Sequence, residues 1–413
     1  MAILKPFRAV RPLPELAQRV AALPYDVVDR YEARQIGEKN PLSFLHVDRA
    51  EMDLEPGIDI YGERVYRKAR ENLRAMREKG ILIQDKTENY YIYELSRQGK
   101  TQAGVVGCAS VEEYLNGTIK KHELTTEEKE KDRIRHVDAC DANTGPIYLA
   151  ARYPGELKKL IGSYRESHAP VYDFLAEDGI GHRVWVVKEA EERKKIEDLF
   201  GQIPAFYIAD GHHRAASAVK VALMRRKQAL AWKGTEEFQF FLSVVFPFDE
   251  LTILPYHRLI KDRNGLTVSE LIDRLKEHFI VEPVSIACFP QKKHDFYMYT
   301  DGCWYRLRAM PELFDQKDIV SQLDVSILQE SILEPVLGIE DERRDNRIRF
   351  VGGGHSLEEM AQIADQTQGL VFALYATAID DLMQIADEGK LMPPKSTWFE
   401  PKLRSGLFIH PLS

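Results

Sequence analysis

The sequence lacks several features that would assign it to a specialised protein class. It has only four cysteines in 413 residues, and no two of them form a CxxC pair. This scarcity predicts free thiols in a reducing compartment rather than a disulfide framework. No run of about 18 apolar residues is present, and Met1–Pro14 lacks the apolar centre of a signal peptide. We therefore expect a cytoplasmic protein without a membrane partner.

The chain also lacks an excess of positive charge. Lys and Arg number 57 against 65 Asp and Glu, which gives a formal net charge of −8. No helix-turn-helix with a basic face is recognisable, so the sequence argues against a DNA partner. Hydrophobic residues make up 44% and charged residues 30%, as in ordinary globular domains. The composition leaves homo-oligomerisation open.

The length predicts two or three domains, and alternating apolar strands and helices predict a mixed α/β fold. Residues 1–150 are expected to form an N-terminal α/β segment that contributes to the functional site. Residues 151–262 are expected to form the phosphate-binding core. Residues 263–413 are expected to form a C-terminal α/β domain with a tail that docks on the protein. Within these parts, Thr101–Tyr114 is predicted as one strand and 267–279 as one helix.

The most informative segment is a short apolar strand that stops at Asp210-Gly211, where a helix begins at once. The N–H groups in the first turn of a helix have no partners within the helix, and the helix dipole favours an anion there. Such a helix start is a typical phosphate site, and Gly211 allows close approach to the backbone. His212, His213 and Arg214 add three donor side chains at the same end. The segment therefore predicts a phosphate-binding turn.

Asp210 at the strand end is a candidate ligand for Mg²⁺, which is typically held by one or two carboxylates together with phosphate oxygens. An alternative is purely structural. In that interpretation Asp210 caps the helix, Gly211 forms a turn, and His212 and His213 are solvated surface residues.

The segment Ala209–Ala216 resembles the nucleotide-binding box of the ParB/sulfiredoxin-like superfamily. In the free serine kinases of that superfamily the box reads Asp-Gly-His-x-Arg, which matches Asp210, Gly211, His212 and Arg214. The resemblance implies a ParB/sulfiredoxin-like core, ATP or ADP with Mg²⁺, and phosphorylation of free L-serine. Sulfiredoxin chemistry is not expected, because it requires a cysteine where this chain has His212.

The whole chain is similar to the family called domain of unknown function 1015. The similarity is carried by several short runs along the chain. They are Leu23–Val27, Asn40–Val47, His122–Thr125 with Asp132-Arg133, Leu254–Arg258, Leu323–Val325 and Met392–Thr397.

Glu123 is the candidate general base. The resemblance implies this role, because the free serine kinases have a glutamate upstream of the phosphate turn for the serine hydroxyl. Its neighbours His122 and Thr125 are candidate substrate or phosphate contacts. The structural alternative is that Thr125 and Thr126 cap the next helix and Glu123 is solvated.

Two further cations are candidate substrate or phosphate contacts. Arg258 lies on a predicted strand and suits an anionic group, although a structural position at the rim of the strand is an equal alternative. Lys395 belongs to a tail that also contains Lys402 and several prolines. We expect this tail to dock on the protein and to bring a lysine to the phosphate site.

These observations predict a nucleotide-dependent kinase acting on a small hydroxyl-bearing metabolite, with free L-serine as the first candidate. Glu123, Asp210 and His212 would form the catalytic set: Glu123 would activate the acceptor hydroxyl and Asp210 would hold Mg²⁺. The 211–214 turn, including His212, would hold the phosphates. Two alternatives remain open: a nucleotide-binding switch of the ParB type without kinase activity, and a phosphate-ester hydrolase.

Overall fold

A computed structural model describes residues 1–229 and 231–413 of the chain. Backbone contacts divide it into two compact units. The first unit contains Met1–Lys121, Thr125–Leu251 and Pro401–Ser413, and the second contains His122–Leu124 and Thr252–Glu400. The division at residues 150 and 262 stays a prediction. Among the described residues, no helix combines the length and the apolar character needed to cross a membrane.

The strands are distributed along the whole chain and alternate with helices. In chain order they are β1 Leu4–Lys5, β2 Val10–Pro12, β3 Leu82–Gln84, β4 Tyr90–Arg97, β5 Lys100–Ser110, β6 Ile119–Lys120, β7 Ala142–Asn143, β8 Ile147–Ala151, β9 Tyr172–Leu175, β10 Gly181–Val187, β11 Phe206–Asp210, β12 Phe240–Pro247, β13 Thr252–Leu254, β14 Tyr256–Ile260, β15 Phe279–Val284, β16 Asp295–Thr300, β17 Cys303–Ala309, β18 Ile348–Gly352, β19 Leu370–Ala373, β20 Trp398–Glu400 and β21 His410–Pro411.

The α-helices range from single turns to more than four turns. In chain order they are α1 Ala17–Val20, α2 Arg30–Lys39, α3 Leu45–Asp48, α4 Glu63–Glu78, α5 Val111–Leu115, α6 Glu127–Cys140, α7 Gly155–Ser167, α8 Ala190–Phe200, α9 His212–Gln228, α10 Val268–Leu275, α11 Asp324–Leu328, α12 Leu357–Asp365 and α13 Ile379–Asp387. A π-helical turn, Gln329–Leu333, continues α11.

The first unit is built on a nine-stranded sheet with the order β6-β11-β8-β12-β5-β4-β10-β9, and β1 also pairs with β5. The pairs β11–β6 and β12–β8 are parallel and the other pairs are antiparallel. Apolar side chains of α7, α8 and α9 pack on this sheet in one large core. Strand β11, which leads into α9, pairs with β6 on one side and with β8 on the other, so it lies inside the sheet rather than at its edge. The mixed α/β fold is thus confirmed.

A second core of the first unit lies among α2, α3 and α4. Helix α2 begins with a capping box: the Asp29 side chain accepts the N–H of Glu32, and the Glu32 side chain accepts the N–H of Asp29. The C-terminal segment Pro401–Ser413 is almost entirely buried in the first unit. Its Ile409 exchanges backbone hydrogen bonds with Val10 at 2.9 Å in each direction.

The second unit contains a six-stranded antiparallel sheet with the order β15-β17-β16-β19-β14-β18. Helix α12 packs on it through Leu357, Met360 and Ala364. Capping boxes start α10 at Thr267 and α12 at Ser356. The strands β13 and β20 form a separate antiparallel pair in the same unit.

Two of the predicted elements are wrong in extent. The strand expected over Thr101–Tyr114 ends at Ser110, and residues 111–115 form α5. The helix expected over 267–279 ends at Leu275, and Phe279 begins β15. In both places single apolar residues, Val111 and Tyr114 in the first and Phe279 in the second, recur beyond the boundary, and their spacing alone does not mark the change of element.

Candidate functional site

The predicted strand–turn–helix is present in the first unit. Strand β11 ends at Asp210, Gly211 occupies the N-cap position with φ +92°, and α9 begins at His212. Residues with a side chain rarely adopt this φ, so glycine is required for the chain to turn directly into the helix. A glycine N-cap also has no side chain with which to cap the N–H groups of the first turn. The turn therefore has the backbone of an anion site.

The carboxylate of Asp210 links the turn to the C-terminal segment. Its Oδ1 atom accepts the N–H of Gly211 at 2.8 Å, and its Oδ2 atom accepts from Nζ of Lys402 at 2.7 Å. The side chain of Lys402 is nine-tenths buried, whereas that of Asp210 is 39% exposed. The structural alternative, with Asp210 as the helix N-cap, does not hold, because Gly211 occupies that position. The tail does bring a lysine to the turn, and that lysine is Lys402.

The guanidinium group of Arg214 is held by three parts of the first unit. Its Nη2 donates to Oγ of Ser405 at 3.2 Å and lies 3.7 Å from Oδ2 of Asp48. Its Cζ lies 5.4 Å from the ring centre of Tyr25. A Cβ atom on Gly145 would overlap Nη1 of Arg214, so Arg214 can hold this position only while residue 145 is glycine. Arg214 is therefore fixed in place before any ligand binds.

Asp48 is the buried centre of the polar network behind Arg214. Its Oδ1 accepts from Oγ1 of Thr144 at 2.7 Å, and Nε2 of His136 lies 4.0 Å from the same oxygen. Burial and the nearby Arg133 cation lower the pKa of His136 to about 4, so this imidazole is neutral. Arg133 lies 4.0 Å over the ring of Tyr25 and is bonded to Asp132 at 2.7 Å. Burial raises the pKa of the Tyr25 phenol.

A small cavity of about 20 Å³ lies inside this network. It is lined by Asp48, Arg133, Thr144 and Arg214, among others. This volume holds about one water molecule and is too small for a phosphate group. On the outer side of the turn Asp210, Gly211 and His213 keep partial exposure, and the binding of a phosphate there stays a prediction.

His212 is buried, with 7% of its surface exposed, and His213 is half-buried. The hydroxyl of Ser217 donates to the backbone carbonyl of His213 at 2.6 Å, which steadies the first turn of α9. Thr125 is also half-buried and donates to the carboxylate of Glu130. The ligand contacts expected of these three residues stay predictions.

Four of the predicted site residues belong to the second unit. His122 is buried and Glu123 is half-buried, and the carbonyl of His122 accepts from the N–H of Met392 at 2.8 Å. Nζ of Lys395 lies 3.5 Å from the hydroxyl of Tyr256. The roles of His122, Glu123 and Lys395 toward substrate stay predictions.

Arg258 is completely buried in the second unit. Its Nε donates to Glu342 at 3.1 Å. Its two Nη atoms donate to the backbone carbonyls of Tyr256, Pro394 and Lys395. These bonds anchor the segment 394–395 and account for the burial of Arg258 without any substrate. Burial lowers the pKa of this guanidinium, and the Glu342 carboxylate opposes that effect.

Several residues around Arg214 were not identified as site residues from the sequence. They are Tyr25, Asp48, Gly145 and Ser405. Tyr25 lies in the run Leu23–Val27 and was marked by the family similarity, whereas Asp48 lies one residue beyond the run Asn40–Val47 and was not. Gly145 and Ser405 carry no local signal, because only the folded chain brings them to Arg214.

Comparison with known protein families matches residues 4–326 to the model of "Protein of unknown function (DUF1015)". The chain belongs to this family. The match covers the Asp210–Arg214 turn but ends before the C-terminal segment that supplies Lys402 and Ser405. No curated protein matches the chain.

Solved structures with some likeness to this member of the family include three that cover 74% of its chain. A conserved hypothetical protein from Pyrococcus furiosus is 16% identical over 94% of its own chain, with a TM-score of 0.36. A free serine kinase in complex with AMP is 14% identical over 91%, with a TM-score of 0.37. SbnI with C-terminal truncation from Staphylococcus aureus is 14% identical over 87%, with a TM-score of 0.36. These TM-scores are too low to support an inference from one protein to another.

Proposed function

We propose that the protein is a nucleotide-dependent kinase that phosphorylates a small hydroxyl-bearing metabolite, with free L-serine as the first acceptor to test. The observation that carries the proposal is the turn itself. A strand ends at Asp210, a glycine with φ +92° follows, and a helix of 17 residues begins at once. The side chains of Arg214 and Lys402 add two cations to this helix start.

Phosphoryl transfer requires mainly that the phosphates be positioned and their charge neutralised. In the proposal, the backbone N–H groups at the start of α9, with His212, His213 and Arg214, hold the phosphates of ATP or ADP. Arg214 suits this task because its guanidinium is already oriented by Ser405 and Asp48, so little side-chain freedom is lost on binding.

Mg²⁺ is part of the proposal, with Asp210 as its protein ligand. The single carboxylate of Asp210 fits an ion that takes its other ligands from phosphate oxygens and water. Its side chain is 39% exposed and accessible. The Lys402 ammonium bonded to Oδ2 means that Mg²⁺ must share this carboxylate with Lys402 or displace it. When bound, the ion would neutralise charge on the phosphates.

Glu123 is the proposed general base. The acceptor hydroxyl oxygen would attack the terminal phosphorus, the bond to the bridging oxygen would break, and the hydroxyl proton would pass to a carboxylate. The products would be the phosphorylated acceptor and the nucleotide shortened by one phosphate. This role rests on the resemblance of the 122–125 segment to the free serine kinases.

The test is product analysis with the full chain, Mg²⁺, L-serine and either ATP or ADP. Mass spectrometry should find phosphoserine in equal amount to the spent nucleotide. Free phosphate formed without an acceptor would favour a hydrolase. Tight nucleotide binding without phosphorylation of serine, or of a panel of hydroxy acids, amino acids and sugars, would favour the nucleotide switch and overturn the kinase proposal.

Arg214→Ala tests the phosphate site directly. We expect nucleotide affinity, measured by calorimetry, to fall by about 1.5–3 kcal/mol, the range for a charge-assisted hydrogen bond. Arg225→Ala is the matched control, because Arg225 lies on the same helix about three turns further along. It pairs with Asp138 and Asp141. An unchanged affinity in a folded Arg214→Ala variant would remove Arg214 from the site.

A further inference from the structure

A cleft of about 890 Å³ opens in the first unit. It lies between the segment 18–45 on one side and the segment 174–178 on the other, and Arg404 of the C-terminal segment also lines it. This volume is within the usual range for sites that hold small organic ligands. Its apolar walls include Leu23, Val27 and Phe174.

Arg404 is a buried cation in the wall of this cleft. The residue is only 5% exposed. Its Nε donates to Nε2 of His182 at 3.3 Å, and its Nη2 donates to the carboxylate of Asp178. Within the described residues, no protein group accepts a hydrogen bond from its Nη1. A buried guanidinium that lines a cavity and keeps an unused pair of N–H donors is suited to an anionic group.

The position of Arg404 is rigid. Its partner His182 is fully buried and lies between the rings of Tyr93 and Phe174, at 5.9 and 5.0 Å from their centres. Burial, reinforced by the Arg404 cation, lowers the pKa of His182 to about 3, so its neutral Nε2 accepts from Arg404. Its Nδ1 lies 2.8 Å from the hydroxyl of Tyr93. A cation fixed in this way binds an anion with little further ordering.

Other charged groups also line the cleft. Arg19 and Lys39 line it as cations. Of the three lining acids, Asp178 is bonded to Arg404 and Glu32 accepts the N–H of Asp29, whereas Glu177 has no such bond within the part of the chain that is described. The lining thus holds three cations and three acids, so it is the placement of Arg404, and not the net charge of the cleft, that favours an anion.

We infer that this cleft binds a small organic anion, in which a carboxylate or phosphate contacts Arg404 and an apolar or aromatic body lies against Leu23, Val27 and Phe174. The inference does not depend on the proposed kinase activity, since it uses none of the residues of the Asp210 turn. Arg404 is nevertheless the chain neighbour of Ser405, whose hydroxyl accepts a hydrogen bond from Arg214 of that turn.

The test uses 8-anilinonaphthalene-1-sulfonate, a fluorescent aromatic anion, as the probe on the full chain. We expect saturable binding at one site. Arg404→Met should weaken it by about 10-fold or more, as expected when a charge-assisted hydrogen bond is lost. Val27→Phe should also weaken probe binding, because the larger side chain fills the cleft. This variant keeps Arg404 and its hydrogen bonds, so it tests the site even if Arg404→Met does not fold. Lys100→Met, at an exposed position outside the cleft, should bind as the wild type does.

Displacement of the probe distinguishes the source of the anion. Benzoate and phenyl phosphate should compete, and the stronger competitor identifies carboxylate or phosphate as the preferred group. Benzyl alcohol has the same ring without the charge and should compete at least about 10-fold less well. Equal competition by benzyl alcohol would overturn the inference. Unchanged probe affinity in Val27→Phe would overturn it as well.

Discussion

Nζ of Lys402 lies 2.7 Å from Oδ2 of Asp210, although 192 positions separate the two residues in the chain. Three residues further on, Oγ of Ser405 accepts from Arg214. The C-terminal segment thus contacts both ends of the turn that begins α9. Because it also pairs with Ala22 and Val10 through its backbone, it fixes the turn to the N-terminal part of the first unit.

Lys402→Met should change the affinities for Mg²⁺ and for nucleotide, the two ligands proposed for the turn, in opposite directions. The substitution removes the ammonium that contacts Oδ2 of Asp210, so the carboxylate should bind Mg²⁺ more tightly when no nucleotide is present. Nucleotide without Mg²⁺ should bind about 10-fold more weakly, because a cation is lost beside the phosphates. Calorimetric titrations with each ligand alone measure both effects. The exposed Lys100→Met variant serves as the control, and equal changes in it would mean that net charge alone is responsible.

Gly145→Ala tests whether the placement of Arg214 matters. A Cβ atom at this position would overlap the guanidinium and lie 2.8 Å from Oγ of Ser405, so Arg214 must move. We expect nucleotide affinity to fall nearly as far as in Arg214→Ala, by about 1.5–3 kcal/mol. Calorimetry measures the affinity, and circular dichroism checks the fold. Wild-type affinity in a folded Gly145→Ala variant would show that the site does not depend on this position of Arg214.

Gly162→Ala is the matched glycine substitution. Gly162 lies within α7, and a Cβ atom there would meet nothing within 4 Å. Alanine is favoured over glycine inside a helix by about 0.5–1 kcal/mol, so this variant should be slightly more stable than the wild type. Its nucleotide affinity should not change. A loss of nucleotide affinity in Gly145→Ala together with unchanged affinity in Gly162→Ala would separate a local clash from a general effect of adding a methyl group.

The turn was predictable from the sequence because its signal is local. An apolar strand, an Asp-Gly pair and a helix are adjacent in the chain, and the structure has all three at the expected positions. Helix α7 was also readable, since its buried Leu157, Ile161 and Tyr164 follow helical spacing, yet it was not predicted. The sequence therefore contains enough local information for α7.

The surroundings of Arg214 were not predictable in the same way. Asp48, Gly145 and Ser405 come from three distant parts of the chain, and each is an ordinary residue in its local context. Their proximity results from tertiary packing, which a single sequence does not reveal through periodicity. Docking of the tail was expected from its prolines and aromatic residues. The sequence did not indicate that Lys402, rather than Lys395, is the lysine that contacts the turn.

Glu123→Gln tests catalysis separately from binding. The substitution keeps the shape of the side chain and removes its basicity. If Glu123 is the general base, turnover should fall by about 10²–10⁴, while nucleotide affinity should change little. Asp210→Asn should lower both, because a metal ligand is lost. Phosphoserine formation and calorimetry on the same preparations measure the two quantities. Wild-type turnover in Glu123→Gln would exclude Glu123 as the base.

Asp324 predicts a pH dependence of stability in the second unit. The residue is 7% exposed, and its Oδ1 accepts the N–H of His294 at 2.9 Å. Burial raises the pKa of this carboxyl to about 7 in the folded protein, far above its usual value near ~3.9 in an unfolded chain. Between these two values the folded state holds a proton that the unfolded state has released. The free energy of unfolding should therefore fall as the pH rises from about 4 to about 7.

Asp324→Asn isolates this contribution, because asparagine keeps an oxygen that accepts from His294 and does not titrate. The variant should lose the decline in stability between about pH 4 and 7, and it should be more stable than the wild type at pH 8. Denaturant unfolding at several pH values measures the difference. Asp301→Asn is the control: Asp301 is exposed in the turn between β16 and β17 with φ +51°, a conformation that asparagine also adopts. Its pH profile should match the wild type, and a wild-type profile in Asp324→Asn would show that Asp324 is ionised when folded.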